Sequence, residues 1–594
     1  MGTKRATTYY GQNEVQKELF EKSRNNGKFE NLYELITTEE NIMLAYRMVK
    51  SNNGANTAGT DKQTIQELAK MDKEDFVNYI KNSLNFYKPK TIKRVMIPKA
   101  DGTSMRPLGI PSIRDRIIQQ MFLNILEPIC EAKFHNHSYG FRPNRATHHA
   151  VARVQHLINR GKQYYTVDID IKGFFDNVNH SLLLKQLWQT GIKDKRVIAI
   201  ISKMLKAPIT GIGIPKKGVP QGGILSPLLS NVVLNDLDWW ISNQWETFET
   251  RHKYTHRHMY HALKTNSNLK PGFLIRYADD FRIMTDTYDH AKRWFHAVKD
   301  YLKHRLKLDI SETKSKVICV KDKFTSFLGF KMKAVQKGAK WVCHSYIDDK
   351  KTEQIINNLR NHTYQLQKHP NASNVLKYNS VVLGIQNYFK YATHVSVSLK
   401  HIYHRTRIML KNRLRRVSKY GYPRGKAGIE YYTKFYPTTY KTYRIGNTLL
   451  FPIAIGSTKN NLCYSQTMNI YEDGKNYSWD NELIRLMKSK LPNKSTEYMD
   501  NRLSKFSMQK GLCHITKLAL PAELVHCHHK LPLKLGGTDK FDNLIIIHKE
   551  IHKLIHATQP EIIQKIVDFF KLDTKQITKI NQLRKLCNLE LVVT

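Results

Sequence analysis

The chain has 594 residues, and 96 Lys and Arg against 50 Asp and Glu give it a formal net charge of +46. Hydrophobic residues make up 41% of the sequence, which excludes wholesale disorder and supplies cores for roughly three or four domains. Such a charge calls for an anionic partner, and nucleic acid is the leading candidate. No apolar run approaches the roughly 20 residues that span a bilayer, so we expect neither a membrane partner nor a secretory signal. Seven scattered cysteines without a CxxC pair favour a reducing compartment.

The first two thirds of the chain show a mixed pattern of helices and strands. Residues 1 to about 90 are polar and mostly helical in pattern, with a turn-rich loop at 52–61. A polar, His-rich stretch near 242–270 is predicted to be a surface excursion. An amphipathic helix is predicted at 113–129, and strands are predicted at 95–99, 164–170, 273–284 (as a hairpin) and 327–332.

Three carboxylates stand at the ends of these predicted strands. Asp170 ends the alternating run 164–170, and Asp279 and Asp280 stand at the tip of the hairpin. Carboxylates about 4 Å apart repel by about 4 kcal/mol at an effective dielectric near 20, and Mg²⁺ relieves that repulsion. Two such ions can activate a 3′-hydroxyl and stabilise a leaving pyrophosphate. Taken alone, the Asp279-Asp280 pair fits an ordinary hairpin turn better than a metal site.

The stretch 346–455 combines helical spacing with extreme charge. Between 400 and 450 there are 13 Lys and Arg and one acid, Glu430. A solvated helix face usually mixes signs, whereas basic side chains with aromatic platforms suit phosphates and unstacked bases, so we predict nucleic-acid contact here. Residues 456–510 are polar and linker-like. The interleaved tyrosines of the basic stretch are Tyr403, Tyr420, Tyr422, Tyr431, Tyr432, Tyr436, Tyr440 and Tyr443.

The last 80 or so residues form a His-rich unit. His552 and His556 are four residues apart and therefore lie on one helical face, where they can share a cation. Gly536 and Gly537 indicate a turn between two short strands. A ββα arrangement would bring His528 from the first strand to the two helix histidines.

Seven sequence blocks, in order, resemble the protein encoded by group II introns, a reverse transcriptase and maturase with a C-terminal endonuclease. The loop at 52–61 resembles the extra N-terminal block of the non-retroviral branch of these enzymes. The seven blocks are 106–111 (RPLGIP), 138–143 (SYGFRP), 170–176 (DIKGFFD), 218–227 (GVPQGGILSP), 277–280 (YADD), 308–316 (LDISETKSK) and 327–330 (FLGF).

The resemblance implies an α+β multidomain protein. Residues 1–345 would form right-hand polymerase fingers and palm with a mixed sheet, including an N-terminal extension over about 1–90. Residues 346–455 would be an all-α thumb and maturase (X) domain. A linker or DNA-binding region would occupy 456–510, and a ββα-metal (HNH) endonuclease domain 511–594.

Roles for individual polymerase residues follow from the same resemblance. Two Mg²⁺ ions would be held by Asp170, Asp279 and Asp280 with the Ile171 carbonyl, and Asp280 would be the weakest ligand of the three acids. The nucleotide-binding residues would be Lys99 and Arg106 on the triphosphate, Phe175 against a 2′-hydroxyl, Gln221 near the nascent base pair and Lys314 at the primer phosphates. Phe175 also fits a core aromatic, and Lys314 also fits a solvated surface charge.

The C-terminal unit resembles the HNH nuclease motif found in the same family. By that resemblance one divalent metal, such as Mg²⁺ or Mn²⁺, would be bound by His528, His552 and His556. His529 would be the general base, and Asn543 would orient it. Cys513 lacks a CxxC partner, which argues against a tetrahedral structural zinc. The other histidines of the unit are not assigned to the site.

The implied partners are group II intron RNA, an RNA template with a DNA primer and dNTPs, and a double-stranded DNA target. The implied process is intron mobility, in the bacterial cytoplasm at the nucleoid or with an organelle-encoded origin. One alternative is a non-enzymatic RNA-binding splicing factor. In such a protein we would expect the three strand-end acids to be lost, whereas this sequence keeps them. A retron-like polymerase is another, and the C-terminal unit argues against it. The oligomeric state stays open, a homodimer included.

Overall fold

The computed structural model describes residues 2–98, 105–424, 428–472, 480–489 and 491–592. Helices and strands mix along the described chain, which gives an α/β architecture. Two hydrophobic cores organise it: one joins the N-terminal helices, one face of a central sheet and the C-terminal unit, and the other joins the opposite face to residues 327–453. None of the described helices is both long and apolar enough to cross a membrane.

The N-terminal part is a helical unit followed by a hairpin and one long helix. Its elements are α1 (Gly2–Tyr9), α2 (Gln12–Arg24), α3 (Leu32–Ile36), α4 (Glu39–Lys50), α5 (Ile65–Lys70), α6 (Lys73–Asn85), β1 (Lys93–Pro98), β2 (Met105–Ile110) and α7 (Ile113–Glu131). Side chains of Thr64 and Glu67 form a capping box that starts α5. α2, α3 and α4 pack against α7, which is buried along almost its whole length and confirms the helix predicted at 113–129.

The centre of the chain is a four-stranded sheet with helices around it. Its elements are α8 (Thr147–Asn159), β3 (Tyr165–Ile169), α9 (Phe174–Asn177), α10 (His180–Gln189), α11 (Lys195–Leu205), α12 (Ser226–Ser242), α13 (His256–Asn266), β4 (Phe273–Tyr277), β5 (Asp280–Thr285), α14 (Tyr288–Tyr301) and β6 (Lys316–Cys319). The strand order is β4-β5-β3-β6, and every pairing is antiparallel. The expected mixed sheet is therefore wrong: the two-residue turn between β4 and β5 permits only antiparallel pairing of those two strands, and β3 also runs antiparallel to both β5 and β6.

The central sheet is buried on both faces because alternate residues enter different cores. Leu274 and Ile283 belong to the first core, whereas Phe273, Ile275 and Met284 belong to the second. α14 packs on β3, β5 and β6, while α8 and α12 pack against β4. This burial fixes the strand ends, where the predicted acids lie.

A second antiparallel sheet follows the first, made of β7 (Thr325–Phe327), β8 (Phe330–Lys337) and β9 (Lys340–Ile347). The single strand predicted at 327–332 is wrong, because a turn at Leu328 and Gly329 separates β7 from β8. Both residues have positive φ, 52° and 80°. A left-handed leucine is unfavourable, so the apolar run FLGFKM carries little turn signal.

The predicted all-α thumb and maturase region also contains strands, so that expectation is wrong. Its elements are α15 (Asp349–Lys368), α16 (Ala372–Phe389), α17 (Val395–Leu414), β10 (Lys419–Gly421), α18 (Ile429–Thr433), β11 (Thr442–Ile445) and β12 (Thr448–Leu449). α15 packs against both α16 and α17, and β10, β11 and β12 form a small antiparallel sheet. A Gly-Asn turn joins β11 to β12, and Gly446 in that turn has φ 55°. This turn and the β-branched residues on either side favour strands over the helix that the apolar spacing predicted.

The C-terminal unit lies against the N-terminal helices. Its elements are α19 (Asp480–Lys488), α20 (Thr496–Met508), β13 (Val525–His529), β14 (Leu544–His548), α21 (Lys549–His556), α22 (Pro560–Phe570) and α23 (Thr574–Leu586). β13 and β14 pair antiparallel and α21 packs on both, as the ββα prediction requires. α19 packs against α1, and α20 packs against α5 and α6. Leu483, Leu503 and Phe506 are buried, so the second half of the expected linker is packed helix.

Candidate active sites

The three predicted acids gather at one end of the central sheet. Asp170 directly follows β3, Asp279 lies in the turn between β4 and β5, and Asp280 begins β5. Pairing of Ile169 with Phe281 aligns the end of β3 with that turn. The negative charges of Asp170 and Asp279 both act on Asp280. The sheet therefore brings together acids that are more than 100 residues apart in sequence.

The Ile171 carbonyl takes no part in the hydrogen bonds that pair its segment with the segment of Ile310. Ile171 forms an isolated antiparallel bridge with Ile310, and the two hydrogen bonds of that bridge use the Asp170 carbonyl and the Lys172 amide. In such a pair the bridged residue's own N–H and C=O point to the opposite edge. The Ile171 carbonyl is thus directed away from Ile310, which a backbone metal ligand there requires.

The turn that carries Asp279 is held rigidly from beneath. Ala278 has φ 58°, a conformation that two-residue hairpin turns require. The Arg276 guanidinium donates to the Ala278 carbonyl at 2.9 Å and pairs with Asp238 at 2.6 Å, with both charged side chains fully buried. Gly140 packs so closely that an added Cβ would lie 2.2 Å from the Ala278 nitrogen. Close packing and a buried ion pair therefore fix the position of the turn.

Electrostatics at this end of the sheet disfavour negative charge. Burial raises the pKa of Asp279, and Asp170 adds to that effect while Arg106 and Arg276 oppose it. Asp280 still reaches solvent, yet it is crowded by protein, and this loss of hydration with nearby acids raises its pKa to about 6. Crowded carboxylates of this kind fit divalent cations, which would compensate the repulsion.

Loops from three separate parts of the chain meet beside the acids. The Gln221 carbonyl accepts a hydrogen bond from the Gly109 amide at 2.6 Å, which docks the residue 218–227 loop on β2. The Phe175 carbonyl accepts from the Val219 amide, also at 2.6 Å. The structure therefore joins the segments that carry Phe175, Gln221 and the β2 residue Arg106. Phe175 itself is half-buried beside the core.

Two basic residues of the prediction face these acids, and a third cannot be placed. The charge of Arg106 acts on Asp279. Lys314 Nζ lies 3.6 Å from Asp170 Oδ2, with both side chains open to solvent. Lys99 lies outside the described residues.

Sequence reasoning missed the groups that support the acids. The buried Arg276–Asp238 pair is one, and a second is Arg142, which pairs with Glu131 at 2.7 Å while donating to backbone carbonyls. A signal was present in FLIRY (273–277): an arginine inside an apolar strand needs a buried anionic partner. The identity of that partner, 38 residues away, is set by packing.

The three predicted metal-ligand histidines converge in the C-terminal unit. His528 on β13 and His552 and His556 on α21 each bring a ring nitrogen within 4.8 Å of the others. In the part of the chain that the structure describes, no other three His, Cys, Asp or Glu side chains bring ligand atoms this close.

The chemistry of the histidine trio fits a bound divalent metal. Burial and then neighbouring histidines lower the pKa of His528 and of His552 to about 3, and burial with Arg584 lowers that of His556. The rings are therefore neutral, the form that binds metals. His528 Nε2 is buried and has no hydrogen-bond partner among the described residues. A buried ring nitrogen without a protein partner fits the role of a metal ligand.

The prediction that Asn543 orients His529 is wrong, because the two side chains bond to other partners. Asn543 Nδ2 donates to the carbonyls of Leu531 and Thr538, both at 2.9 Å, so it braces the loop between β13 and β14. His529 Nε2 instead lies 2.8 Å from Asp539 Oδ1. Asp539 had no assigned role, and its place two residues after the Gly536-Gly537 turn is the signal that could have found it.

Comparison with known proteins connects this geometry to a family. The family model described as reverse transcriptase (RNA-dependent DNA polymerase) matches residues 97–332, which include all three acids. Protein YkfC of Escherichia coli K12 is 34% identical over 326 residues, 51% of this chain and 83% of that protein. The group II intron-encoded protein LtrA of Lactococcus lactis is 30% identical over 354 residues, 52% of this chain and 58% of LtrA. Nuclear intron maturase 2, mitochondrial, of Arabidopsis thaliana is 30% identical over 178 residues, 23% of this chain and 24% of that protein. The chain therefore belongs to the reverse transcriptase family, with group II intron-encoded proteins and maturases among its relatives.

Proposed function

We propose that the chain is a multifunctional group II intron-encoded protein. It copies RNA into DNA by target-primed synthesis, assists splicing of its intron RNA, and nicks one strand of the target DNA with a C-terminal HNH endonuclease. The observation that carries this proposal is the coexistence, in one chain of the reverse transcriptase family, of an acid cluster at a sheet end and a histidine trio on a ββα unit.

At the polymerase site, Asp170, Asp279, Asp280 and the Ile171 carbonyl would hold two Mg²⁺ ions, which supply activation of the primer 3′-hydroxyl and charge neutralisation at the leaving pyrophosphate. Arg106 lies where it can bind the triphosphate, since its charge reaches Asp279. Phe175, fixed between β3 and the residue 218–227 loop, would lie under the sugar and exclude a 2′-hydroxyl.

Two further residues would position the substrates. Gln221 would contact the nascent base pair, because its loop is anchored on β2. Lys314 would exchange its exposed contact with Asp170 for a primer phosphate, and such an exposed ion pair costs at most about 1 kcal/mol to break.

Primer extension tests the polymerase proposal. The wild-type protein should extend a DNA primer on an RNA template with Mg²⁺ and dNTPs. Asp279→Asn should reduce the rate by at least about 10³-fold, since it removes a charge needed for metal binding. Asp322→Asn, an exposed acid in a turn, is the matched control and should keep the wild-type rate. Equal rates for both variants would contradict the assignment.

At the nuclease site, His528, His552 and His556 would hold one divalent metal, which supplies charge stabilisation at the phosphate of the cut strand. His529 follows His528 on β13 and would take the proton from the attacking water through Nδ1. Asn543 would keep the loop between β13 and β14 in place through its two backbone contacts.

Strand nicking tests the nuclease proposal. We expect wild-type protein to nick duplex DNA in Mg²⁺ or Mn²⁺, and His528→Ala to abolish both nicking and tight metal binding. His296→Ala, an exposed histidine on α14, is the matched control. Wild-type nicking in the His528→Ala variant would rule out the trio as the metal site.

The basic region supports RNA binding with only part of its predicted aromatic set. Tyr432 and Tyr436 are buried in the second core and cannot stack on bases. Tyr403 and Tyr443 are half-buried. The exposed aromatics, which remain as stacking platforms among the basic side chains, are Tyr420, Tyr422, Tyr431, Phe435 and Tyr440.

Salt dependence tests that surface. Neutralising about ten phosphates should weaken RNA binding by roughly 10⁵-fold between 50 and 200 mM salt. Tyr420→Ala should reduce affinity for single-stranded RNA, by about 1–3 kcal/mol per lost stack. Tyr288→Ala, an equally exposed tyrosine on α14, is the control. An affinity that barely depends on salt would contradict this assignment.

A further inference from the structure

His529, the proposed general base, has a carboxylate partner on the loop between β13 and β14. His529 Nε2 lies 2.8 Å from Asp539 Oδ1, and both side chains are mostly buried. The Tyr498 ring stacks on the imidazole with centroids 5.3 Å apart and 25° between planes. The imidazole is thus fixed on one edge by a hydrogen bond and on one face by an aromatic ring.

Asp539 is itself held by a helix outside the ββα unit. Its Oδ2 accepts a hydrogen bond from the Ser495 hydroxyl at 2.6 Å, and its backbone carbonyl accepts from Asn501 Nδ2 at 2.8 Å. Ser495 caps α20, and Tyr498 and Asn501 follow at three-residue spacing, so one face of α20 holds both members of the pair. Asn543 fixes the preceding residue, Thr538. Both oxygens of the Asp539 carboxylate therefore have a protein partner.

We propose that Asp539 is a positioning residue for His529 in strand cleavage, a role that rests on the proposed nuclease function. The carboxylate accepts the Nε2–H bond, which keeps that proton on Nε2 and leaves the lone pair on Nδ1. Water then gives a proton to Nδ1, the water oxygen forms a bond to phosphorus, and the bond from phosphorus to the 3′-oxygen breaks. The leaving oxygen takes a proton from solvent, and His529 returns its proton to solvent.

The geometry favours orientation over any direct contact with DNA. Asp539 bonds to His529 through one oxygen and to Ser495 through the other, so each carboxylate oxygen is engaged by a protein group. Partners of this kind are typically worth about 10–100-fold in activity. The loss should fall on kcat and leave the KM for DNA unchanged, because Asp539 does not touch the substrate.

The experiment measures nicking kinetics of the full-length chain. Asp539→Ala should lower kcat by about 10–100-fold with KM within about twofold of wild type. Asp539→Asn should lose less, because its amide oxygen can accept the same bond. Asp542→Asn, an exposed acid three residues later, is the matched control. Normal primer extension and normal metal loading in each variant would show that the fold is intact.

Two further measurements separate positioning from a general structural effect. The double variant Asp539→Ala/His529→Ala should nick no more slowly than His529→Ala alone, because Asp539 acts only through His529. A crystal structure of metal-free Asp539→Ala should show the imidazole rotated, whereas that of Asp539→Asn should keep it. Wild-type protein that does not nick DNA overturns the nuclease function. Wild-type protein that nicks, with Asp539→Ala at full kcat or an additive double variant, overturns only the role of Asp539.

Discussion

The two candidate centres are built on opposite kinds of support. The acids at the sheet end lie above a fully buried ion pair, Arg276–Asp238, and their own charges are disfavoured. The histidine trio lies on a small unit in which burial keeps the rings neutral, and α20 holds the neighbouring pair of His529 and Asp539. A buried ion pair is a suitable support for a site that binds highly charged substrates and ions. Because the supports differ, we expect different substitutions to inactivate the two centres.

The largest effect should come from the buried pair beneath the acids. Arg276→Met leaves Asp238 buried and uncompensated, so the unfolding free energy should fall by about 3–5 kcal/mol. Primer extension should be lost while nicking survives, because Arg276 also bonds to the Asp279 turn and to Asn231, which both belong to the central part of the chain. Thermal unfolding followed with both activity assays measures this.

Two variants control for that result. Arg305→Met breaks an exposed pair with Asp236 and should change stability by less than about 1 kcal/mol. Arg276→Met/Asp238→Leu removes both charges and should recover much of the lost stability. Simultaneous loss of both activities in Arg276→Met would mean that the centres do not have separate supports.

A smaller effect should come from the contact between the C-terminal unit and the N-terminal helices. Asp500 on α20 is 3% exposed and bonds to Arg47 at 2.7 Å, Lys50 at 3.3 Å and the Tyr10 hydroxyl at 2.7 Å. Asp500→Ala should weaken this contact by about 2 kcal/mol, because the two cations left behind are partly exposed. Hydrogen exchange should accelerate in α20, and nicking should fall more than primer extension. Met508→Ala, at an exposed position on the same helix, is the control.

The same contact should depend on pH. Burial raises the pKa of Asp500, but the charges of Arg47 and Lys50 outweigh it and hold the pKa below its ordinary value. A carboxylate with a lowered folded pKa stabilises above its unfolded pKa, near 3.9, and that stabilisation is lost as pH falls through the folded value. The stability difference between wild type and Asp500→Asn should therefore be constant at neutral pH and shrink below about pH 4. A difference that grows in acid would contradict the ion pairing.

An effect of similar size should come from Glu127 on α7. Burial and the neighbouring Glu131 raise the pKa of Glu127 to about 7, although the Tyr471 hydroxyl donates to it. The folded state then keeps a proton that the unfolded state has lost, so stability falls as pH rises from about 4.5 to 7. Glu127→Gln should remove this loss and be more stable than wild type at pH 8 by about 2 kcal/mol, discounted for its partial solvent contact. Unfolding of both proteins at pH 5 and pH 8 measures it; equal differences at the two pH values would contradict the shift.

The sequence predicted which acids and histidines come together better than it predicted the residues that support them. Asp170, Asp279 and Asp280 were assigned from seven ordered blocks that resemble a known family, and the ββα unit from two histidines that share a helical face. The partner of Arg276 was not predicted, because Asp238 lies on α12 and only tertiary packing brings the two side chains together. Asp500 and Arg47 are 453 residues apart, and no local pattern reports such a contact.

Local sequence patterns also gave wrong predictions where backbone conformation or packing departs from what the side chains alone favour. The Leu328 turn splits a run that reads as one strand, because leucine there takes a left-handed conformation. Tyr432 and Tyr436 read as base platforms, but their spacing of four also suits one buried helical face, and burial in the core won. Asn543 was assigned to His529 when its amide in fact satisfies loop carbonyls.

Separability of the two centres is the central claim, and one paired assay tests it most directly. Wild type, Asp279→Asn and His529→Ala would each receive a DNA duplex labelled on both strands and, separately, an RNA template with a DNA primer. Asp279→Asn should nick at the wild-type rate without extending the primer, and His529→Ala should extend the primer without nicking. Loss of both activities in either variant, or retention of both, would contradict two independent centres in this chain.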